Sequence, residues 1–315
     1  MLALLFPGQG SQEVGMGSAV YDESAVARGV YEAADAALGL PLSRYCFEGP
    51  EDELLRTEIQ QPAILTTGIA LLRALEARTP VAPAYNAGHS LGEYTALVAS
   101  GALSFEDAVR TVHARGRFMQ EAVPAGRGAM AAVLGTPPED VSRICERVQA
   151  ETGRVVAPAN YNAPRQTVIS GDAIAVEVAC SRARQEGARR TIPLAVSAPF
   201  HCSLMRPAAE KLALELERLR FSDPRPPVMS NVEAAPIDRS ARLSELLARQ
   251  VTAPVRFTDM ITGMRDSGVT RFLEVGPGRV LTGLVGRIAG EARRENLGCA
   301  ADLDGAARFV AAEAA

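Results

Sequence analysis

Ala84-Tyr85-Asn86-Ala87-Gly88-His89-Ser90-Leu91-Gly92-Glu93 decides how this chain is read. Its first four residues read as a short strand, and Glu93 to Ser100 reads as a helix closed by Gly101. Gly88-x-Ser90-x-Gly92 therefore occupies the turn between them. A serine on so sharp a turn needs glycine on either side to escape backbone crowding, and it then presents an exposed hydroxyl. The N–H of Leu91, at the start of the helix, points where an oxyanion would form. G-x-S-x-G also arises often by chance, so its weight here comes from the strand-turn-helix context.

Working outward, Leu2 to Phe6 is a continuous apolar run ending in glycines, the pattern of a parallel strand buried on both faces. Its loop, Pro7-Gly8-Gln9-Gly10-Ser11-Gln12, then lies at the carboxyl edge of a sheet, where open α/β sheets bind ligands. Helices are expected at 24–38 and 62–78. Between Gly126 and Val196 the texture changes: strand 129–134, helix 137–150, strands 154–160 and 166–170, a helix capped by Asp172 and ended by Gly187, and strand 189–196. Strand-helix-strand-strand-helix-strand is the split βαβ, ferredoxin-like order. The expected fold is thus α/β: a large domain (1–125 and 197–315) with a mostly parallel sheet, and an inserted ferredoxin-like subdomain (126–196). Further strands are expected near 228–232 and at 271–275, the latter ending in Gly276-Pro277-Gly278 before a helix. The alanine-rich tail after Cys299 reads as a peripheral helix or a frayed end.

The chain has 315 residues, 47% of them apolar, ample for a large core. A net charge of -4 leaves no cationic excess to release counterions, so no nucleic-acid partner is expected. The lone lysine, Lys211, lies in an amphipathic run with Leu212, Leu216 and Leu219, which leaves no phosphate loop of the G-x-x-x-x-G-K kind. Gly8-x-Gly10 is a partial dinucleotide fingerprint, but Glu13 stands where the third glycine belongs and would oppose a pyrophosphate. Cys46, Cys145, Cys180, Cys202 and Cys299 are widely spaced without C-x-x-C, so neither a disulfide framework nor a metal site is expected, and a reducing compartment is. The apolar opening lacks a basic flank and no run is long enough to span a bilayer. A cytoplasmic location is the expectation.

A serine nucleophile needs a base, and the chain has only His89, His113 and His201. His89 adjoins Ser90 on the same turn, so its ring should point elsewhere. On the helix opened by Ser104, one face holds Phe105, Ala108, Val112, Arg115 and Met119, while His113 falls opposite with Glu106, Arg110 and Arg117, as a solvated histidine would. His201, in Ser197-Ala198-Pro199-Phe200-His201, sits where the insert returns to the large domain, a usual place for a catalytic side chain. Elimination favours it as the base over a structural histidine. The same helical wheel puts Arg115 on the apolar face, where an unpaired guanidinium would be expensive. Either an Asp or Glu meets it, or its planar fork awaits a substrate carboxylate.

Phe6-Pro-Gly-Gln-Gly-Ser-Gln12, Gly88-His-Ser-Leu-Gly-Glu93, Arg115-Gly-x-x-Met-Gln120 and Phe200-His201 stand in order at familiar spacing. With Asn160-Tyr-Asn-Ala-Pro164, Ser230-Asn-Val-Glu-Ala234, Arg249-Gln250 and Glu274-Val-Gly-Pro-Gly278 they cover nearly the whole chain. It closely resembles the malonyl-CoA:acyl carrier protein transacylases, including stand-alone acyltransferases of polyketide synthases. The resemblance implies a hydrolase-like large domain, Ser90 as nucleophile, His201 as base, and the backbone carbonyl of Gln250 orienting the ring in place of the usual aspartate. It further implies an oxyanion hole from the N–H groups of Gln9 and Leu91, and Arg115 as the anchor of a malonyl carboxylate. Phe200 is implied to crowd an α-methyl branch, and His89, Asn160 and Asn162 to support the pocket. Malonyl-CoA and an acyl carrier protein are the implied partners, with no cofactor beyond the thioester substrate. Two other readings compete: an acyl-thioester hydrolase using the same serine and histidine, and a non-catalytic docking module. Arg189 and Arg190 could meet an acidic carrier protein, though paired surface arginines are usually just solvated.

Overall fold

The structure, a computed structural model, describes residues 1–196 and 198–312. Its strands are β1 (Leu2–Phe6), β2 (Tyr85–Gly88), β3 (Gly128–Leu134), β4 (Val156–Ala163), β5 (Gln166–Asp172), β6 (Arg190–Pro193), β7 (Val228–Met229), β8 (Pro236–Ile237), β9 (Arg271–Val275) and β10 (Arg293–Leu297). They form two sheets. The larger has the order β10-β9-β1-β2-β7-β8, parallel throughout except at the β7–β8 edge. All five residues of β1 are buried, because β1 lies between β2 and β9 with both faces covered. Phe6 registers with Gly88, so the loop after β1 and the turn after β2 emerge side by side.

Helix Thr57–Glu76 is buried along most of its length, and helix Phe105–Glu121 packs against it. The first of these starts five residues before the expected Pro62. Proline usually marks a helix start because it has no N–H to give the preceding turn. Here the helix continues through it, and the carbonyl that its N–H would have met, that of Glu58, instead accepts from His113 Nδ1 at 2.9 Å. His113 is therefore half-buried and bonded, not solvated as its position on the wheel implied. The close approach explains Gly116 as well, since a Cβ there would come within 2.5 Å of the Thr57 carbonyl oxygen.

The smaller sheet has the order β4-β5-β3-β6, antiparallel throughout, and packs against helices Pro138–Thr152 and Ala173–Gln185 through Val141, Ile144, Val148, Val176 and Ala179. With its chain order this is the ferredoxin-like arrangement. The Asp172 side chain accepts from the Ile174 N–H, capping the second helix. The smaller sheet is tied at β4 to the segment before helix Phe257–Asp266: Val255 N–H donates to the Ala159 carbonyl, and Tyr161 N–H to that of Val255, both at 2.9 Å. The expected boundary at 196/197 falls against Ser197, which lies outside the described residues, as does the end of the tail at 313–315.

Two expected strands need correction, and one strand was not expected. β7 is shorter than 228–232, because Ser230 and Asn231 leave the sheet to bond around the Ser90 turn and the β7–β8 connection. β6 ends at Pro193, short of 196. β10 had no counterpart: Arg293-Arg294-Glu295 shows no apolar run, as an edge strand paired only with β9 can tolerate. The tail forms helix Leu303–Ala311, docked through Leu303, Ala306 and Phe309. Among the described residues, no helix is long and apolar enough to cross a membrane.

Candidate active site

Among the described residues, Ser90 and His201 are two of three non-glycine residues with positive φ, at 54° and 61°. Such backbone conformations are strained and persist only where the surroundings enforce them. Around Ser90 the enforcement is visible. A Cβ on Gly88 would lie 1.9 Å from the Gly92 carbonyl carbon, and one on Gly92 would lie 2.0 Å from the Phe6 carbonyl oxygen. Asn231 braces the turn, accepting from the Ser90 N–H at 2.7 Å and donating to the Gly88 carbonyl at 2.7 Å.

Ser90 Oγ sits 2.7 Å from His201 Nε2. On the other side of the ring, Nδ1 is 2.8 Å from the Gln250 backbone carbonyl. A carbonyl can only accept, so Nδ1 carries the proton and Nε2 is left to accept from the serine hydroxyl. Burial, and next the positive charge of Arg115, lower the His201 pKa to about 3, so the ring is neutral in the free protein.

Arg115 is fully buried under this pair. Its Nη2 donates to Ser90 Oγ at 3.0 Å and to Gln250 Oε1 at 2.9 Å, and its Nη1 donates to Gln61 Oε1 at 2.7 Å. These hydrogen-bond partners are neutral, the Tyr94 ring centroid lies 5.7 Å from Cζ, and among the described residues Nε has no hydrogen-bond partner. Among the described residues no carboxylate forms an ion pair with this guanidinium, so the structural alternative of a directly paired Asp or Glu is not what the site contains.

The serine opens onto a cavity of about 600 Å³ whose lining includes Gln9, Gln60, His89, Met130, Asn160, Leu194, Phe200 and His201. Neither the Gln9 nor the Leu91 N–H makes a hydrogen bond among the described residues. The Gln9 side chain is tethered, donating to Gln60 and accepting from Gln61. His89 turns away from the serine: its Nε2 lies 2.8 Å from Asn162 Oδ1, and its ring packs on Phe257. Asn162 thus belongs to the join between the two sheets, whereas Asn160 faces the cavity. Three neighbours were not singled out from sequence as site residues: Gln61, Asn231 and Glu93. Glu93 had a legible signal, a charged residue on a short helix, Gly92–Ala99, that is otherwise apolar or small and nearly all buried.

A strained serine thus lies between a neutral imidazole and a guanidinium without an ion pair among the described residues, at the carboxyl edge of a parallel sheet. The chain belongs to the acyl transferase domain family, which it matches over residues 3–296. It is 50% identical over 287 residues to the malonyl CoA-acyl carrier protein transacylase of Bacillus subtilis, covering 91% of this chain and 90% of that one. Among solved structures, the transacylase of the same name from Coxiella burnetii superposes with a TM-score of 0.96 at 38% identity, covering 99% of this chain and 98% of that one. A malonyl-transacylase in complex with a type II polyketide acyl-carrier protein superposes with a TM-score of 0.94 at 42% identity, covering 98% and 99% of the two chains.

Proposed function

We propose that this chain moves a malonyl group from coenzyme A to the phosphopantetheine thiol of an acyl carrier protein by way of an ester on Ser90. The observation that carries this reading is the position of Ser90 Oγ, 2.7 Å from His201 Nε2 and 3.0 Å from Arg115 Nη2. In a malonyl ester the free carboxylate is two carbons beyond the ester oxygen, so a guanidinium already touching that oxygen is within reach of it. An acetyl group offers it nothing, and a longer diacid would have to fold back.

In the first half-reaction Ser90 Oγ attacks the thioester carbonyl and its proton passes to His201 Nε2. The N–H groups of Gln9 and Leu91, both without a partner among the described residues, receive the oxyanion. Collapse breaks the C–S bond, and His201 returns the proton to the departing thiol. The carrier-protein thiol then attacks the ester and the same steps run in reverse. Arg115 also links substrate choice to basicity. In the free protein its charge helps hold the His201 pKa down, and a bound carboxylate cancels that charge just when a base is needed.

The division of labour that we propose follows the two sheets: 1–125 and 197–315 carry the chemistry, while 126–196 supplies a wall that keeps water from the ester. A carrier-protein partner is supported by the likeness to the complexed transacylase. The test is intact-protein mass spectrometry after exposure to mixed acyl-CoAs, followed by holo carrier protein. Expected are selective malonyl loading of Ser90 and its loss to the carrier protein. Release of free malonate without carrier protein would instead make the chain a thioester hydrolase, and no loading from any acyl-CoA would leave a docking module.

A further inference from the structure

Glu93 is 1% exposed, at the start of the Gly92–Ala99 helix beneath the Ser90 turn, and it forms no ion pair among the described residues. Its Oε2 accepts from Gln250 Nε2 at 2.6 Å, and both its oxygens lie within 3.4 Å of the Asn231 N–H. The other end of the same amide, Gln250 Oε1, accepts from Arg115 Nη2 at 2.9 Å. Two buried ionisable groups of opposite sign, neither in an ion pair among the described residues, are thus joined by one glutamine side chain. The amide cannot turn over without setting its NH2 against the guanidinium and its oxygen against the carboxylate. A carboxylate placed directly on Arg115 would occupy the fork a substrate needs. Held off by one amide, it offsets the buried charge and leaves donors free.

We propose that Glu93 is a positioning residue, the counter-charge of Arg115, and that through Gln250 it sets how tightly the site holds a substrate carboxylate. This rests on Arg115 being the malonyl anchor. Glu93 and the bound carboxylate repel one another across Arg115, so the clamp is weakest when Glu93 is ionised. That keeps the malonyl ester from becoming a trap.

The readout is the malonyl-to-acetyl ratio of kcat/KM for loading Ser90, in which effects common to both substrates cancel. Glu93→Gln removes the charge and keeps the size. The ratio should rise, on the order of tenfold, mainly through a lower malonyl KM. A merely structural role would lower both substrates in parallel and leave the ratio unchanged.

The wild-type protein carries a second readout. Burial raises the Glu93 carboxyl to about 7, so it gains a proton as pH falls from 8 to 6 and the ratio should climb over that interval. The other titratable groups around it are Arg115, Tyr94, His201 and His89. Arg115 stays charged, burial keeps the Tyr94 phenol protonated, His201 is neutral above about 3, and burial lowers His89 in the same sense. In Glu93→Gln the ratio should be flat with pH.

A ratio that falls or stays unchanged in the variant overturns the proposal, and so does a wild-type ratio independent of pH. Should the variant fail to fold, the wild-type profile decides alone. Absence of any malonyl preference in wild type would instead overturn the assignment of Arg115.

Discussion

The two sides of the active-site cavity are built on opposite principles. The floor, carried by the parallel sheet, is polar and closed: Ser90, Arg115, His201 and Gln250 are all buried and joined to one another by hydrogen bonds. The facing wall, carried largely by the smaller sheet and the segment after it, includes Met130, Leu194, Val196 and Phe200 and is apolar but for Asn160. Towards the mouth it opens, with Val196 at 38% exposure and Leu55 at 50%. A polar network in a dry site holds its geometry because every displacement leaves a partner unsatisfied. An apolar wall has no such penalty and discriminates by volume alone. The floor should therefore govern whether the reaction occurs, and the wall which acyl chain it accepts.

The largest effect that would break this contrast belongs to the floor. His201→Ala should slow both loading and transfer by roughly 10²–10⁴-fold, the usual contribution of a positioned base. Stopped-flow rates for the two half-reactions would measure it. A loss confined to one half would mean that another group serves as base in the other.

Next in size is Arg115→Ala, which would remove the charge-assisted contact proposed for the substrate carboxylate. Malonyl loading should fall by roughly 2–4 kcal/mol in kcat/KM, whereas acetyl loading should hold or rise. Lys should restore only part, having the charge without the planar fork. A parallel decline for both substrates, with a lowered thermal midpoint, would make Arg115 a structural residue. The apolar side is tested by Phe200→Ser, where methylmalonyl-CoA should gain roughly 1–3 kcal/mol relative to malonyl-CoA, the scale of one methyl group in a pocket. An unchanged ratio of kcat/KM would move that wall to another residue.

The same contrast governs what the sequence revealed. The floor was legible because its constraints are local: glycines at 88 and 92 that no Cβ could replace, a histidine reached by elimination, an arginine at a helical position that should be apolar. The ferredoxin-like order was legible from alternating element types. β10 was not, since an edge strand needs no apolar run. Glu93 stands out as a charge on a buried helix, but its role and that of Asn231 depend on partners 157 and 141 residues away in the chain, at Gln250 and Ser90, and no spacing rule spans that distance. His113 differs from its expected solvated state for a related reason. The helical wheel gave its direction correctly but could not foresee a carbonyl waiting there.

That carbonyl gives the smallest and most local of the expected effects. Pro62 has no N–H, so Glu58 lacks its helical donor, and His113 Nδ1 supplies one from the neighbouring helix, two residues before Arg115. His113→Ala should leave malonyl loading nearly unchanged, because it touches neither substrate nor Ser90. It should cost about 1 kcal/mol in stability, the worth of one hydrogen bond in a half-buried place. Pro62→Ala gives Glu58 a donor within its own helix and so makes the histidine partly redundant. The loss on removing His113 should then be smaller in the Pro62→Ala background than in wild type, a coupling that a double-mutant cycle of denaturant midpoints reads directly. Strict additivity would mean that the two helices are held by the close contact at Gly116 alone. A large loss of malonyl over acetyl loading in His113→Ala would carry the polar floor one helix further than its hydrogen bonds extend, and the line drawn between chemistry and packing would have to move with it.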